Sequence, residues 1–558
     1  MAFSRRSMIL GSTAAGTTAL TLAACGTDGG DGGNGGGTGS GSDNGGGGGS
    51  GEPILANTTE PENLLIPTNT GEVGGGRIIT AIFAGLVYYT ADGSAENDLA
   101  ESIESEDNQN WTITLREGLT YSDGSTPVTA EDFVAAWNFG ANATNAQIGQ
   151  YFFEPIEGYE ELSAEGVAAD ATLSGLEAVD ERTFTVRLVS AQSDFPTRLG
   201  YSAYMPLPPT AFEDIDAYGE APLANGPYKL ESWTHDQELV LVPNESYDGP
   251  RTVQNAGVTF MVYQDPETMY NDLISDNVDV VDQLPGSALA TFEDELGDRA
   301  VNDPGAVFQS ITLPGYDPNF EGEAGNLRRQ AISRAIDRQT ICDSLFFGTR
   351  TPATDFVSPV IPGGGATDIP GAEVLQYDEA EAKKLWDEAE AIKPFAGPLK
   401  LAYNSDGPHA DWVEAVCNSL SNALGIDAQP SPFPAFGEMR EQIRNRQLKG
   451  TWRSGWQADY PSAYNFLGPL YGTAAADGKG SNDGDYKNPE FDQLLADGLA
   501  AASEDEAIAL WKEAEALLMR DLPVVPLWYQ NTFGGFSTLV SNVSYGWDTV
   551  PLYHEITK

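Results

Sequence analysis

Residues 111–132 read WTITLREGLTYSDGSTPVTAED, and this string narrows the fold more than any other part of the chain. Trp111, Ile113 and Leu115 alternate with polar residues, so they form a strand with one buried face. Leu119 and Tyr121 predict a second short strand, ended by the turn signal Ser122-Asp123-Gly124. Thr129 then precedes Ala130-Glu131-Asp132 and the apolar series Phe133, Val134 and Trp137. That order is an N-cap followed by acidic residues in the first helical turn, where the helix dipole favours them. By itself the string reads only as a strand, a hairpin and a capped helix.

The N-terminus sets an address. Arg5 and Arg6 precede an uncharged apolar and small-residue run over residues 8–24, which is too short and too rich in Gly, Ser and Thr to span a membrane comfortably. Leu22-Ala23-Ala24-Cys25 closes the run and resembles a bacterial lipoprotein box. The resemblance implies a signal peptide over residues 1–24, removed by cleavage, and lipidation of Cys25. Residues 4–9, SRRSMI, resemble a twin-arginine export signal, so either that route or general secretion fits. A buried helix with a stray cysteine is a poor alternative, because the run leads straight into glycine. Residues 25–51 have almost nothing to bury and are expected to form a flexible linker. A coil of about 26 residues reaches ~25–30 Å, enough to stand a folded body off a bilayer. The address is therefore export, with lipid attachment to the outer face of the bacterial cell membrane.

The remaining residues are enough for two to four domains, and the chain is 41% hydrophobic, enough to build large cores. Net charge is -54, from 83 acidic against 29 basic residues. Nucleic acid is excluded as a partner, since its phosphates require a basic face. The three histidines, His235, His409 and His554, stand far apart with no ligand spacing, so no metal site and no cofactor are expected. Residues 472–479 miss the phosphate-loop pattern, and no Gly-x-Ser-x-Gly elbow occurs in the folded part. An enzyme is not expected. Export permits a disulfide between Cys342 and Cys417; two separate buried thiols fit the sequence equally well.

Along the body, strands are expected at 183–188, at 228–230 continuing through 238–242, and at 258–263. A helix over 268–275 and a strand at 278–281 complete a β-α-β rhythm. Amphipathic helices follow at 327–346, 379–390, 410–424, 491–502 and 504–520, with strands at 398–403 and 523–529.

As a literal string, 111–132 closely resembles the signature of the family 5 extracellular solute-binding proteins, the peptide- and nickel-type receptors of ABC importers. Five further segments resemble that family in the expected order: Asn225-Gly226-Pro227-Tyr228, residues 328–338 (RRQAISRAIDR), Tyr377-Asp378, residues 455–461 (GWQADYP) and residues 523–527 (PVVPL). The resemblance runs from about residue 55 to the end. It departs where Asn225 replaces the usual Thr and where Ser462 replaces an Asp that often follows the Pro.

The resemblance implies a two-lobed periplasmic-binding-protein-like α/β fold with an inserted subdomain and a ligand cleft between the lobes. Lobe I would comprise residues 52–91, 211–303 and 523–558, the insertion 92–210 and lobe II 304–522. It implies hinge closure on a peptide, delivery to the permease subunits of an ABC importer and through them its ATPase subunits, and a monomer.

It also implies a site. Asp459 falls where the family's peptide receptors pair an Asp with the ligand's α-ammonium group, a charge-assisted contact. Arg453 falls where an Arg meets peptide C-termini, Trp456 would flank the ligand, and Tyr460 joins the set. The match runs without gaps only from Arg453 to Asp459, so Arg444 and Arg446, upstream of it, are weaker candidates for that role. The plainer readings are a cap or an ion pair with Arg453 for Asp459, core packing for Trp456, and a solvated surface position for Arg453. A receptor for an oligosaccharide, a peptide-sensing lipoprotein without an importer, and an exported hydrolase are the rival functions; for the hydrolase no nucleophile–base pair can be named.

Overall fold

The strand and helix of the 111–132 string form as read. In the computed structural model, which describes residues 51–558, the strand Asn110–Leu115 buries Trp111, Ile113 and Leu115. The helix Ala130–Ala141 follows, with the Thr129 N–H donating to the Asp132 carboxylate at 2.9 Å. Phe133, Val134 and Trp137 point into the core. The Asp123 carboxylate accepts from the N–H groups of Ser125 and Thr126, both at 2.9 Å, and fixes the turn between them. The second strand does not form: residues 119–121 contribute only an isolated bridge, Thr120 to Pro127. The turn leaves too few residues to extend a ladder. The signal segment, Cys25 and the glycine-rich tract to residue 50 lie outside the described residues.

One eleven-stranded mixed sheet runs through the molecule. At its centre the strands Ala300–Thr312 and Val524–Phe536 pair antiparallel along nearly their whole length. On one side the sheet continues through Val280–Val281, Ile54–Thr58, Val258–Val262, Glu238–Pro243 and Tyr228–Thr234. On the other it continues through Thr451–Gln457, Leu399–Asn404 and Ala428–Phe433. The central ladder slips between Pro304 and Val307, a bulge at the join of the two sides. Bulges bend a strand and raise its twist, so this is where the two lobes meet.

The cores divide accordingly. Lobe I has a large cluster that includes Ile54, Ile78, Trp137, Phe184, Leu239 and Phe260 and takes in the four-stranded sheet of residues 100–187, and a smaller one around Leu273, Val281 and Phe292. Lobe II has clusters around Phe308, Phe466 and Trp511 and around Ile332, Leu401 and Trp412. The boundary expected at 303/304 thus falls inside a continuous strand. Val525, Leu527 and Trp528, read from sequence as lobe I, pack into the lobe II core.

The helix expected over 327–346 is two helices, Gly322–Arg334 and Arg338–Leu345. Asp337 caps the second, accepting from the Thr340 N–H at 3.1 Å. Buried Arg338 compensates the break by donating to the carbonyls of Ser333 at 3.0 Å, Leu375 at 2.7 Å and Pro526 at 2.8 Å. The helices Glu379–Ile392, Ala410–Leu424, Pro489–Leu499 and Glu504–Asp521 stand close to their expected spans. Cys342 and Cys417 are two free buried thiols within one lobe II cluster, not a disulfide. Each sulfur sits among apolar side chains, and burial pushes both thiols up to about 12.

Both departures from the family strings have local reasons. Buried Asn225 pairs with Ala84 in both directions, accepting from its N–H and donating to its carbonyl, each at 3.1 Å. A threonine hydroxyl could not match that planar pair. Ser462 caps the helix Ala463–Tyr471 through the Tyr464 N–H at 3.2 Å and donates to Asp194 at 3.2 Å, where a second aspartate would meet a like charge.

Candidate functional site

Asp459 follows the end of the strand Thr451–Gln457, just before the helix Ala463–Tyr471. Asn465, on the first turn of that helix and buried, ties the two together. Its amide oxygen accepts from the Asp459 N–H at 2.9 Å and the Trp456 indole N–H at 3.1 Å. Its amide nitrogen donates to Asp459 Oδ2 at 3.0 Å. Asp459 is therefore held by neither a salt bridge to Arg453 nor a cap.

The Asp459 carboxylate lines a cavity of about 240 Å³ between the lobes. Lobe II supplies Gln457, Ala458 and Asp459 and lobe I supplies Glu72, Arg77 and Tyr201; Trp547, which precedes Asp548, packs into a lobe II core cluster that Tyr89 also meets. Burial pushes the Asp459 carboxyl up to about 6, with the Asn465 bond and the more distant Arg198 pulling the other way. Burial and then the Asp459 charge raise the phenols of Tyr151 and Tyr201, and Tyr201 lines the same cavity as Asp459. Phe152 stacks on Tyr201 with centroids 4.0 Å apart, and Tyr89 meets Trp547 edge-on at 5.4 Å. A poorly compensated carboxylate facing aromatic rings is a setting for an alkylammonium group.

Arg453 and Trp456 line a different cavity, of about 250 Å³, wholly within lobe II. Phe308, Met439, Ile443 and Tyr471 give it an apolar wall. Arg453 is not a solvated surface residue. Its Nε donates to Asn404 at 2.8 Å and its guanidinium lies 5.0 Å from the centre of the Phe436 ring. Burial pulls it down to about 10, with Asp406 opposing and Arg440 adding to the shift. Trp456 is half-buried, neither core nor free surface. Arg444 is exposed, and Arg446 is committed to Asp485 with Nε–Oδ2 at 2.9 Å.

Tyr460 departs from its expected role. It is 1% exposed and lines neither cavity; the Arg198 guanidinium covers its ring at 5.1 Å. It lies next to Asp459 in the bend that follows the strand, and its ring turns away from the cavity into the core. The functional residue missed by sequence is Asn465. Its one legible signal is its position, on the first turn of the helix behind Asp459.

The lobes also touch away from these cavities. Ser193 N–H donates to the Leu499 carbonyl at 2.7 Å, and the Asn108 amide donates to the Ala501 carbonyl at 3.2 Å.

A family model described as "Bacterial extracellular solute-binding proteins, family 5 Middle" matches residues 94–478, well over half of the chain. The chain belongs to this family. Among relatives of this family 5 solute-binding protein is the oligopeptide-binding protein OppA of Bacillus subtilis. It is 27% identical over 490 residues, covering 84% of this chain and 86% of that one. The periplasmic oligopeptide-binding protein OppA of Salmonella typhimurium is 28% identical over 464 residues, covering 80% and 81%. The unliganded open form of MppA, a periplasmic murein tripeptide binding protein, superposes with a TM-score of 0.74 at 23% identity, covering 91% of this chain and 97% of that one. The fold is thus the two-lobed one of these binding proteins.

Proposed function

We propose that this solute-binding protein captures peptides by their free N-terminal ammonium group at Asp459. A lobe II carboxylate, oriented by Asn465 and set into a cavity to which lobe I residues such as Arg77 and Tyr201 contribute, carries this reading. Ligand bridging Asp459 and the lobe I wall stabilises the closed arrangement, with the bulge between Pro304 and Val307 as the hinge. Arg453, short of counter-charge in the neighbouring lobe II cavity, suits a ligand carboxylate. The named relatives bind oligopeptides and a murein tripeptide, and they support peptide as the ligand class.

The protein acts as a carrier and not as a catalyst. It passes its peptide to the permease subunits of an ABC importer, while lipid on Cys25 keeps it at the outer face of the cell membrane. Native mass spectrometry of the purified protein, with sequencing of whatever co-purifies, tests the ligand class. Peptides with free amines support the reading; an oligosaccharide in their place overturns it.

A further inference from the structure

The cavity that holds Asp459 is lined by a second carboxylate with one oxygen free of any hydrogen bond among the described residues. Three acidic residues line it: Glu72, Asp459 and Asp548. Glu72 is spent, because both of its carboxylate oxygens accept from the Gly75 N–H, at 2.8 and 2.9 Å, and cap the helix Val73–Ile82. Asp548 comes from the C-terminal segment of lobe I. Its Oδ1 accepts from the Val550 N–H at 3.2 Å, and its Oδ2 has no hydrogen-bond partner among the described residues. Asp459 Oδ1 is likewise without one. Burial pushes the Asp548 carboxyl up to about 6, with the Val550 bond and the Arg77 charge pulling the other way and Asp282 adding to the shift; burial acts likewise on Asp459.

The lining includes one guanidinium, that of Arg77. It is already engaged: Nη2 meets Asp282 Oδ2 at 2.7 Å and Nη1 donates to the Asn57 carbonyl at 2.7 Å. Arg198 lies beyond the wall, over the Tyr460 ring. Asp459 and Asp548, each with a carboxylate oxygen free of protein partners among the described residues, therefore line one cavity, with Tyr89, Tyr201 and Trp547 as its apolar sides. A ligand that covers the cavity and brings one positive charge would shield the second carboxylate from water without giving it a partner, which is costly.

Resting on the peptide reading above, we propose that the cavity takes a two-charge ligand end, with the α-ammonium on Asp459 and the side-chain cation of a lysine or arginine first residue on Asp548. Such a residue carries both charges on one flexible stem, and its methylene groups pack along the aromatic sides. The preference is thus for peptides with a basic N-terminal residue.

The test is calorimetric titration of the full chain with paired di- to hexapeptides of alanine. Each pair starts with lysine or with norleucine, its uncharged counterpart. A second charge-assisted contact gives the lysine member an advantage of about tenfold or more. Asp548→Asn, which keeps the acceptor for the Val550 N–H, brings the lysine-to-norleucine ratio to near one. Asp459→Asn weakens both members of each pair. Equal affinity of the two members in the wild type, or a ratio unmoved by Asp548→Asn, overturns the proposal while leaving the peptide reading standing. Absence of binding by every pair overturns both.

Discussion

Asn465 grips Asp459 at two points, accepting from its backbone N–H at 2.9 Å and donating to its Oδ2 at 3.0 Å. The same amide oxygen receives the Trp456 indole N–H at 3.1 Å, so one buried side chain sets the carboxylate of one cavity and the indole of the next. Asn465→Ala should leave both N–H groups and the carboxylate without their partner. A loss of about 1–3 kcal/mol in stability is expected, read by denaturant unfolding. Peptide affinity should fall about tenfold or more because Asp459 is no longer aimed. Unchanged affinity in a destabilised but folded Asn465→Ala protein would reduce Asn465 to a packing residue.

Binding should depend on pH through Asp459. Its carboxyl stands at about 6 in the empty protein because burial disfavours its charge. A bound ammonium favours the ionised form and so lowers that value. Affinity for a peptide with an uncharged first side chain is then complete above pH 6. Below it, affinity falls by about tenfold per pH unit, as each binding event must expel a proton. Calorimetry from pH 7.5 to 5 reads the slope, and Asp459→Asn should flatten it.

Cys342 and Cys417 should behave as buried thiols in a protein destined for an oxidising compartment. Burial pushes both up to about 12, so neither is a thiolate at ordinary pH. In a Cys25→Ser variant handled without reductant, a thiol reagent should label neither in the native state and both after unfolding. Labelling of neither after unfolding would establish the disulfide instead.

The net charge of -54 should make stability salt-dependent. Like charges repel across the folded surface, and the screening length drops from ~30 Å at 0.01 M salt to ~3 Å at 1 M. Tm should rise with sodium chloride over that range. A flat or falling Tm would show that local pairing already cancels the excess charge.

Much of the frame was legible because it is periodic and local. The alternation of Trp111, Ile113 and Leu115, the Thr129 cap and the stripe of the helix Ala410–Leu424 each report a buried face directly. What sequence misplaced depends on contacts distant along the chain. The helix break at 335–337 is stabilised by Arg338 reaching Leu375 and Pro526, which periodicity cannot register. The resemblance implies a lobe boundary at 303/304, whereas the strand Ala300–Thr312 crosses that point without interruption through pairing with Val524–Phe536. At the site, Asp459, Arg453 and Trp456 came from motif position. Sequence could not show that Asp459 faces one cavity and Arg453 another, nor that Tyr460 turns into the core. Asp548 lies 89 residues beyond Asp459 and meets it only across the cleft.

The central claim is that Asp459 holds the positive end of the ligand. Its most direct test is calorimetric titration of wild-type and Asp459→Ala protein with a peptide identified by co-purification, alongside the N-acetylated form of that peptide. The account requires tight binding only for the free amine on the wild type, with losses of about tenfold or more on acetylation and on substitution. Equal binding of the acetylated peptide, or an undiminished affinity in Asp459→Ala, would contradict it.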